Sequence, residues 1–326
     1  MIKYDLHSHT THSDGQLSVA ELLHRAVDKN IDVFAITDHD TVAAIKPAQH
    51  IIDTENLPLS LITGVEISTR WESFEIHIVG LNIDTENSDL TALLLEQQQK
   101  RETRALEIGT RLAKNGFDDI YEQAKELAKD AQITRAHFAR ALIARGVAKN
   151  FPGVFKKYLG RGKTGYVPSS WCDMQTAIKA IHAAGGVAVL AHPSSYQMSN
   201  KWLRKLLVEF KSVGGDAMEV AQPQQAPSDR QFLGELSREY DLLCSQGSDF
   251  HFPTSYLELG KNLYLPKDCR GVWQAWETET RHLARPESSR GAFRQALGAA
   301  AGRLFCGASN RRPRPLVLEA LHLGQS

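Results

Sequence analysis

This chain predicts a mixed α/β fold, and three observations support it. Short apolar runs alternate with amphipathic helical patterns, metal-ligating residue types recur just beyond the ends of those runs, and one long strand-free stretch interrupts the alternation. That order suggests βα units around a sheet or barrel with a helical insertion, because parallel neighbours need a crossover between them. With 326 residues and 42% hydrophobic content, the chain can bury a large core.

The first apolar run spans 4–6. A helix is expected at 18–29, where Val19, Leu22, Leu23, Ala26 and Val27 share one face and Ser18 and Glu21 stand in capping-box spacing. Further strand candidates are 33–37, 59–65, 76–83, 187–191, 217–220 and 242–245. From 88 to 163 the chain is rich in Ala, Leu, Glu, Gln, Lys and Arg at helical spacing. This insertion is expected to cap the barrel mouth, leaving 1–87 and 164–276 to form the barrel. After Trp276 the composition shifts to Arg, Ala, Gly and Ser, with Asn310-Arg311-Arg312-Pro313-Arg314-Pro315 near the end. The segment 277–326 therefore reads as a basic tail, poorly ordered and without a catalytic role.

Charge narrows the function. Lys+Arg and Asp+Glu both number 38, so no field of the whole chain draws it to nucleic acid or membrane, and any polyanion site must be local. The cysteines Cys172, Cys244, Cys269 and Cys306 are scattered without a Cys-x-x-Cys pair, which fits a reducing compartment. The N-terminus opens directly on the strand-like Ile2-Lys3-Tyr4-Asp5-Leu6, and no apolar run approaches a membrane span. A cytoplasmic protein is expected, with no membrane attachment and no implied protein partner.

The chemistry is carried by short motifs. His7-Ser8-His9, Ser13-Asp14-Gly15 and Thr37-Asp38-His39-Asp40 fall within the first forty residues. Gly64-Val65-Glu66, Glu75-Ile76-His77, Ala191-His192-Pro193 and Ser248-Asp249-Phe250-His251 follow. Neutral imidazole and carboxylate together suit divalent cations. One histidine at a strand end is more often a hydrogen-bonded structural residue than a ligand. Here His7, His9, Asp14, His39, Glu66, His77, His192, Asp249 and His251 all sit at such ends, whereas His24, His50, His137 and His182 fall in helical contexts. The set points to a metal cluster at the strand C-termini, where parallel α/β barrels build their sites.

As a set, Asp5-Leu6-His7-Ser8-His9, Thr37-Asp38-His39, Ala191-His192-Pro193 and Ser248-Asp249-Phe250-His251 resemble the motifs of the PHP (polymerase and histidinol phosphatase) family of metal-dependent phosphoesterases, over roughly 2–85 and 166–265. The resemblance implies a distorted (β/α)7 barrel holding two or three divalent ions, manganese foremost and Zn2+, Fe2+ or Mg2+ as alternatives. It further implies that His7, His9, Glu66 and Asp249 hold the first ion. Glu66, His77 and His192 hold the second, with Glu66 bridging, and Asp14, His39 and His251 hold the third. Family members often carry His where Asp14 stands, which makes the third site richer in oxygen and biases it toward manganese. Metal-activated hydroxide then replaces a side-chain nucleophile. Glu66 sets the ion spacing, and Asp249 or a nearby histidine such as His192 manages the leaving-group proton.

Two cationic elements bear on the substrate. Gly160-Arg161-Gly162-Lys163-Thr164-Gly165 formally matches a dinucleotide fingerprint but lacks the strand before it and the helix after it, and Lys157 stands where a Walker A loop needs glycine. It reads as a hinge offering Arg161 and Lys163 to phosphate, or equally as a solvated charge pair. In Ile133-Thr134-Arg135-Ala136-His137, Thr134 is a candidate helix cap and Arg135 a candidate reader of a second, non-scissile phosphate through paired hydrogen bonds. Trp71 is expected to pack rather than to stack on a base. A PHP barrel with a long helical cap and a Gly-Arg-Gly-Lys exit is similar to one branch of the family, the nucleoside 3′,5′-bisphosphate phosphatases and 5′-to-3′ exoribonucleases of the RNase AM type. That branch implies a nucleotide or short RNA whose 5′-phosphate is anchored by the cap while the 3′ ester is hydrolysed. The alternatives are a histidinol-phosphate phosphatase and a non-catalytic RNA-binding scaffold that uses the basic tail.

Overall fold

The computed structural model describes residues 2–254 and 257–276, so the basic tail and Cys306 lie outside the described residues. Seven strands form one sheet in sequence order: β1 (Tyr4–Asp5), β2 (Val33–Ile36), β3 (Ser60–Trp71), β4 (Phe74–Leu81), β5 (Val187–Leu190), β6 (Ala217–Ala221) and β7 (Leu243–Gln246). Each apolar run of the sequence has become a strand. The sheet curls until its edges nearly meet: Leu6 N donates to Gln246 O at 3.1 Å, and Asp249 N donates to His7 O at 2.9 Å. An isolated parallel bridge between Ser8 and Phe250 continues this seam.

One expectation needs correction. The chain is not built wholly of βα units, because β3 pairs antiparallel with β4, and β4 antiparallel with β5. Trp71 pairs with Phe74, so only Glu72 and Ser73 connect the two strands, with Glu72 at φ 51. A two-residue link leaves no room for a crossover helix and forces a hairpin. Glu66 and His77 consequently lie within this long ribbon rather than past its ends. Glu66 is opposite Val79 and Ser68 opposite His77, so strand alternation puts both ligands on one face.

Helices α1 (Val19–Asp28) and α2 (Ile45–Glu55) follow β1 and β2. The Ser18–Glu21 capping box of α1 is present, and Val19, Leu22, Leu23 and Ala26 are its buried face. Between β4 and β5 come α3 (Ser88–Ala113), α4 (Ile120–Ala128), α5 (Arg135–Ala144) and α6 (Phe151–Val154), the last running into a π-helical turn over Phe155–Leu159. Among the described residues, α7 (Met174–Ala183), α8 (Asn200–Ser212) and α9 (Pro227–Glu239) complete the helices that cover the strands. No described helix is long and apolar enough to cross a membrane.

Among the described residues, three apolar clusters hold these parts together. Leu6, Ala35, Ile62, Val79, Val189 and Ala217 fill the barrel interior. A larger cluster, including Ile67, Ile78, Ile178, Leu206 and Leu236, joins strands to helices. The cap has its own core around Ile108, Leu112, Ile120, Phe138, Leu142 and Leu159. With 26 residues α3 is about 39 Å long. It buries Leu90, Leu93 and Leu94 against the barrel and Ala105, Ile108 and Leu112 in the cap, tying one core to the other.

Candidate active site

The nine ligand-type residues converge at one end of the barrel, with Glu66 at their centre. Its Oε1 lies 2.9 Å from both His77 Nδ1 and His192 Nε2. Its Oε2 lies 3.0 Å from His39 Nδ1 and 3.3 Å from the Nε2 atoms of His7 and His9. Asp249 Oδ1 is 3.5 Å from His7 Nε2 and 3.3 Å from His9 Nε2. His251 Nε2 is 3.2 Å from Asp14 Oδ1. Three groups place their ligand atoms within 4.8 Å of one another: His7, His9 and Glu66; His39, Glu66 and His77; and His9, Asp14, His39 and His251. In this geometry His9 and His39 each face two groups, a sharing that the one-dimensional motifs do not reveal.

Neighbouring residues hold the ligands in place. Glu219, in the interior of β6, meets His7 Nδ1 at 2.6 Å and accepts the backbone N–H of His192 at 2.6 Å. A carboxylate on Nδ1 leaves Nε2 free to ligate. Asp38 accepts the N–H and hydroxyl of Thr10 and the hydroxyl of Ser13, pinning the loop that carries His9 and Asp14. Gly247 is required by close approach, since a Cβ there would stand 2.3 Å from His7 Cβ. His192 and Asp249 adopt positive φ, at 30° and 50°, a conformation costly for a side-chain-bearing residue and concentrated at functional sites.

The residues fit a metal. Asp14 Oδ1, His39 Nδ1, Glu66 Oε2 and His192 Nδ1 are buried without a partner in hydrogen-bond geometry. Buried polar atoms are rarely left so, and an ion satisfies several at once. Burial pushes the Glu66 carboxyl up, but His39, His7 and His77 outweigh it and hold the group well below the usual carboxylate range. Asp14 is held low in the same way against its burial, by His251 and His39. Burial depresses His39 and favours its neutral, ligating form.

A model of the PHP domain matches residues 5–185 of this chain. The chain belongs to the PHP domain family. It is 53% identical over 274 residues to the 5′-3′ exoribonuclease Rnm of Escherichia coli (strain K12), covering 84% of this chain and 94% of that protein. It is 34% identical over 279 residues to a 3′,5′-nucleoside bisphosphate phosphatase of Chromobacterium violaceum, covering 85% and 97%. Among solved structures it is similar to an amidohydrolase of Chromobacterium violaceum with sulfate bound and no metal. There the TM-score is 0.80 at 34% identity, covering 85% of this chain and 96% of that one.

Beside the ligand cluster, this PHP domain opens into a cavity bounded by Asp14, His39 and His77 on the barrel and by Arg104, Arg135 and Trp171 toward the cap. Arg104 and Arg135 converge on Glu75, the former at 2.7 Å. Burial would raise Glu75, yet the two guanidiniums bring it down to about 2. The Trp171 ring lies under Arg101 at 4.9 Å and Arg104 at 5.2 Å. Arg101 is committed to Asp40 and the Ser68 hydroxyl. The cap also touches the ligand loop, because Thr134 Oγ1 donates to Asp14 Oδ2 at 3.4 Å and Arg140 donates to Asp14 O.

Arg135 thus lines the cavity beside the ligand cluster, whereas Arg161 and Lys163 do not. Both are exposed in the turn after the π-helix. Trp71 is packed, 4% exposed, against Phe74 and Trp202. Sequence reading missed Glu219, Arg104 and Trp171. Glu219 had a usable signal, a carboxylate inside the apolar run Ala217-Met218-Glu219-Val220-Ala221. Arg104 had none, since a charged residue on a long helix looks like an ordinary solvated face.

Proposed function

We propose that this chain is a metal-dependent phosphohydrolase that cleaves the 3′ phosphoester of nucleoside 3′,5′-bisphosphates and of 5′-phosphorylated short RNA, releasing nucleotides from the 5′ end. The observation that carries this reading is the abutment of the ligand cluster on a cavity in which Arg104 and Arg135 converge. The names of the two relatives support it. His7, His9, Asp14, His39, Glu66, His77 and His251, which form the groups of converging ligand atoms, would hold two or three divalent ions together with Asp249 and His192, which contact His7, His9 and Glu66, manganese foremost because Asp14 adds oxygen to a set rich in imidazole. Bound there, such ions acidify water and neutralise phosphoryl charge.

The protein's own groups do the positioning. Arg135 and Arg104 present guanidinium donors to a phosphate remote from the ligand cluster and so set which ester reaches it. The surrounding histidines hold the Glu66 and Asp249 carboxyls well below the usual carboxylate range against their burial, which favours the ionised form that holds cations. His192 Nε2 contacts Glu66 Oε1 and keeps that carboxylate oriented.

Phosphate release measured with manganese should be fast for a nucleoside 3′,5′-bisphosphate and negligible for a nucleoside 5′-monophosphate or histidinol phosphate. Failure to release phosphate with any divalent metal would sink the reading. Arg135→Ala should lower kcat/KM on the bisphosphate about 10- to 100-fold, the scale of one charge-assisted contact.

A further inference from the structure

We propose that a second cleft, on the far side of the ligand cluster from the cap, binds the nucleoside immediately downstream of the scissile phosphate in an RNA substrate. This rests on the phosphoester reading above and deepens it. The cleft is walled by Ser194 and Ser195 after β5, by Gln222 to Gln225 after β6, and by Ser248 and Asp249 after β7. The arginine-lined cavity belongs instead to β2, β3, β4, the loop after β1 and the cap, and the two share no lining residue. Because the strands run around the barrel in sequence order, the ligand cluster stands between them. Asp249 joins the cleft to the cluster through its contacts with His7 and His9.

Chemistry separates the two sides further. Among the described residues the cavity carries three arginines, whereas those that line the cleft include no lysine or arginine and add Asp229 to Asp249. A cation-free wall does not favour a further phosphate. Serine hydroxyls and glutamine amides instead offer donors and acceptors for sugar hydroxyls and base edges, and an amide can serve any base. A phosphodiester gripped at its bridging phosphorus has a nucleoside on either side, so a 5′-phosphorylated nucleoside at the cap sends the next one to the opposite side.

The cleft is also built in advance. Gln225 Oε1 accepts from Gln222 N and from Arg230 Nε, both at 3.4 Å, which orients the amide. Its Nε2 is left buried in the wall without a hydrogen-bond partner. Arg230 also donates to Gln222 O at 2.9 Å and is covered by the Tyr264 ring at 4.0 Å, while Asn262 donates to Pro223 O. The loop is braced from beneath, which fixes the glutamine-bearing wall of the cleft before any ligand arrives.

The test compares two substrates of one site. The ratio of kcat/KM for a 5′-phosphorylated diribonucleotide to that for the matching nucleoside 3′,5′-bisphosphate is measured for the wild-type protein, Gln225→Ala and Ser195→Ala. Loss of folded protein cancels in this ratio. Gln225→Ala is expected to lower the ratio about tenfold, and Ser195→Ala to lower it in the same direction. As a second readout, Gln225→Ala should weaken binding of a diribonucleotide carrying a 3′-methylene phosphonate, which cannot lose a 3′ oxygen, by a similar factor. An unchanged ratio with unchanged phosphonate binding overturns the cleft assignment alone. Wild-type protein that hydrolyses neither substrate overturns the phosphoester reading and the cleft together.

Discussion

Glu219 touches two ligands, His7 through its ring and His192 through its backbone N–H, so its effect should exceed that of an ordinary buried carboxylate. Glu219→Gln keeps the volume and removes the charge that favours the Nδ1–H tautomer of His7. Metal affinity, measured by competition with a chelator, is expected to fall about 10- to 100-fold, and unchanged affinity would show that His7 is oriented by something else. The convergence of the candidate ligands was foreshadowed in the sequence because histidine and aspartate beside apolar runs stand out. Their grouping was not, since which imidazole faces which carboxylate depends on Glu66 sitting in the middle of a hairpin whose direction no motif encodes.

At the scale of the element, α5 makes a specific demand on pH. Thr134 Oγ1 accepts from Ala136 N, and the Thr134 N–H donates to His137 Nδ1 at 3.0 Å, so a histidine fills the place that Glu or Gln occupies in a capping box. The bond requires an unprotonated Nδ1. Burial, with Arg140 and Arg101 adding to it against Asp14, brings His137 down to about 4 from its ordinary 6.5. The unfolded chain therefore binds this proton more readily. The stabilisation is complete above pH 6.5 and is lost as the pH falls toward 4, a change of about 3 kcal/mol. Thermal unfolding of metal-free protein between pH 7 and 4 should show this loss, and His137→Gln, which keeps an acceptor but cannot titrate, should show less of it. Equal acid sensitivity in both proteins would remove His137 from the account. Thr134 was readable as a cap. His137 was not, because the usual signature has no histidine at that position.

Across the whole molecule, the barrel closes where its first and last strands meet. Asp5 accepts the N–H of Ser248 and of Gly260, each at 2.8 Å, the former pair being 243 residues apart in sequence. Asp5→Ala leaves both buried donors unpaired and should cost about 3 kcal/mol, read in denaturant unfolding. It should also lower metal content, since His7 and Asp249 lie on either side of this seam; full metal content in the folded variant would show the seam to be dispensable to the site. The seven strands were visible as apolar runs, and the helices between β4 and β5 as the strand-free stretch among them. The turn-enforced hairpin and the cleft beyond β5 were not, because both arise from how strands are placed around a circle.

The same seam puts the ligands in temporal order. Residues up to His77 leave the ribosome early, but His192, Asp249 and His251 emerge only after the cap has been made, and pairings this distant in sequence are slow to form. The candidate ligand set is complete only once β7 has come to lie beside β1.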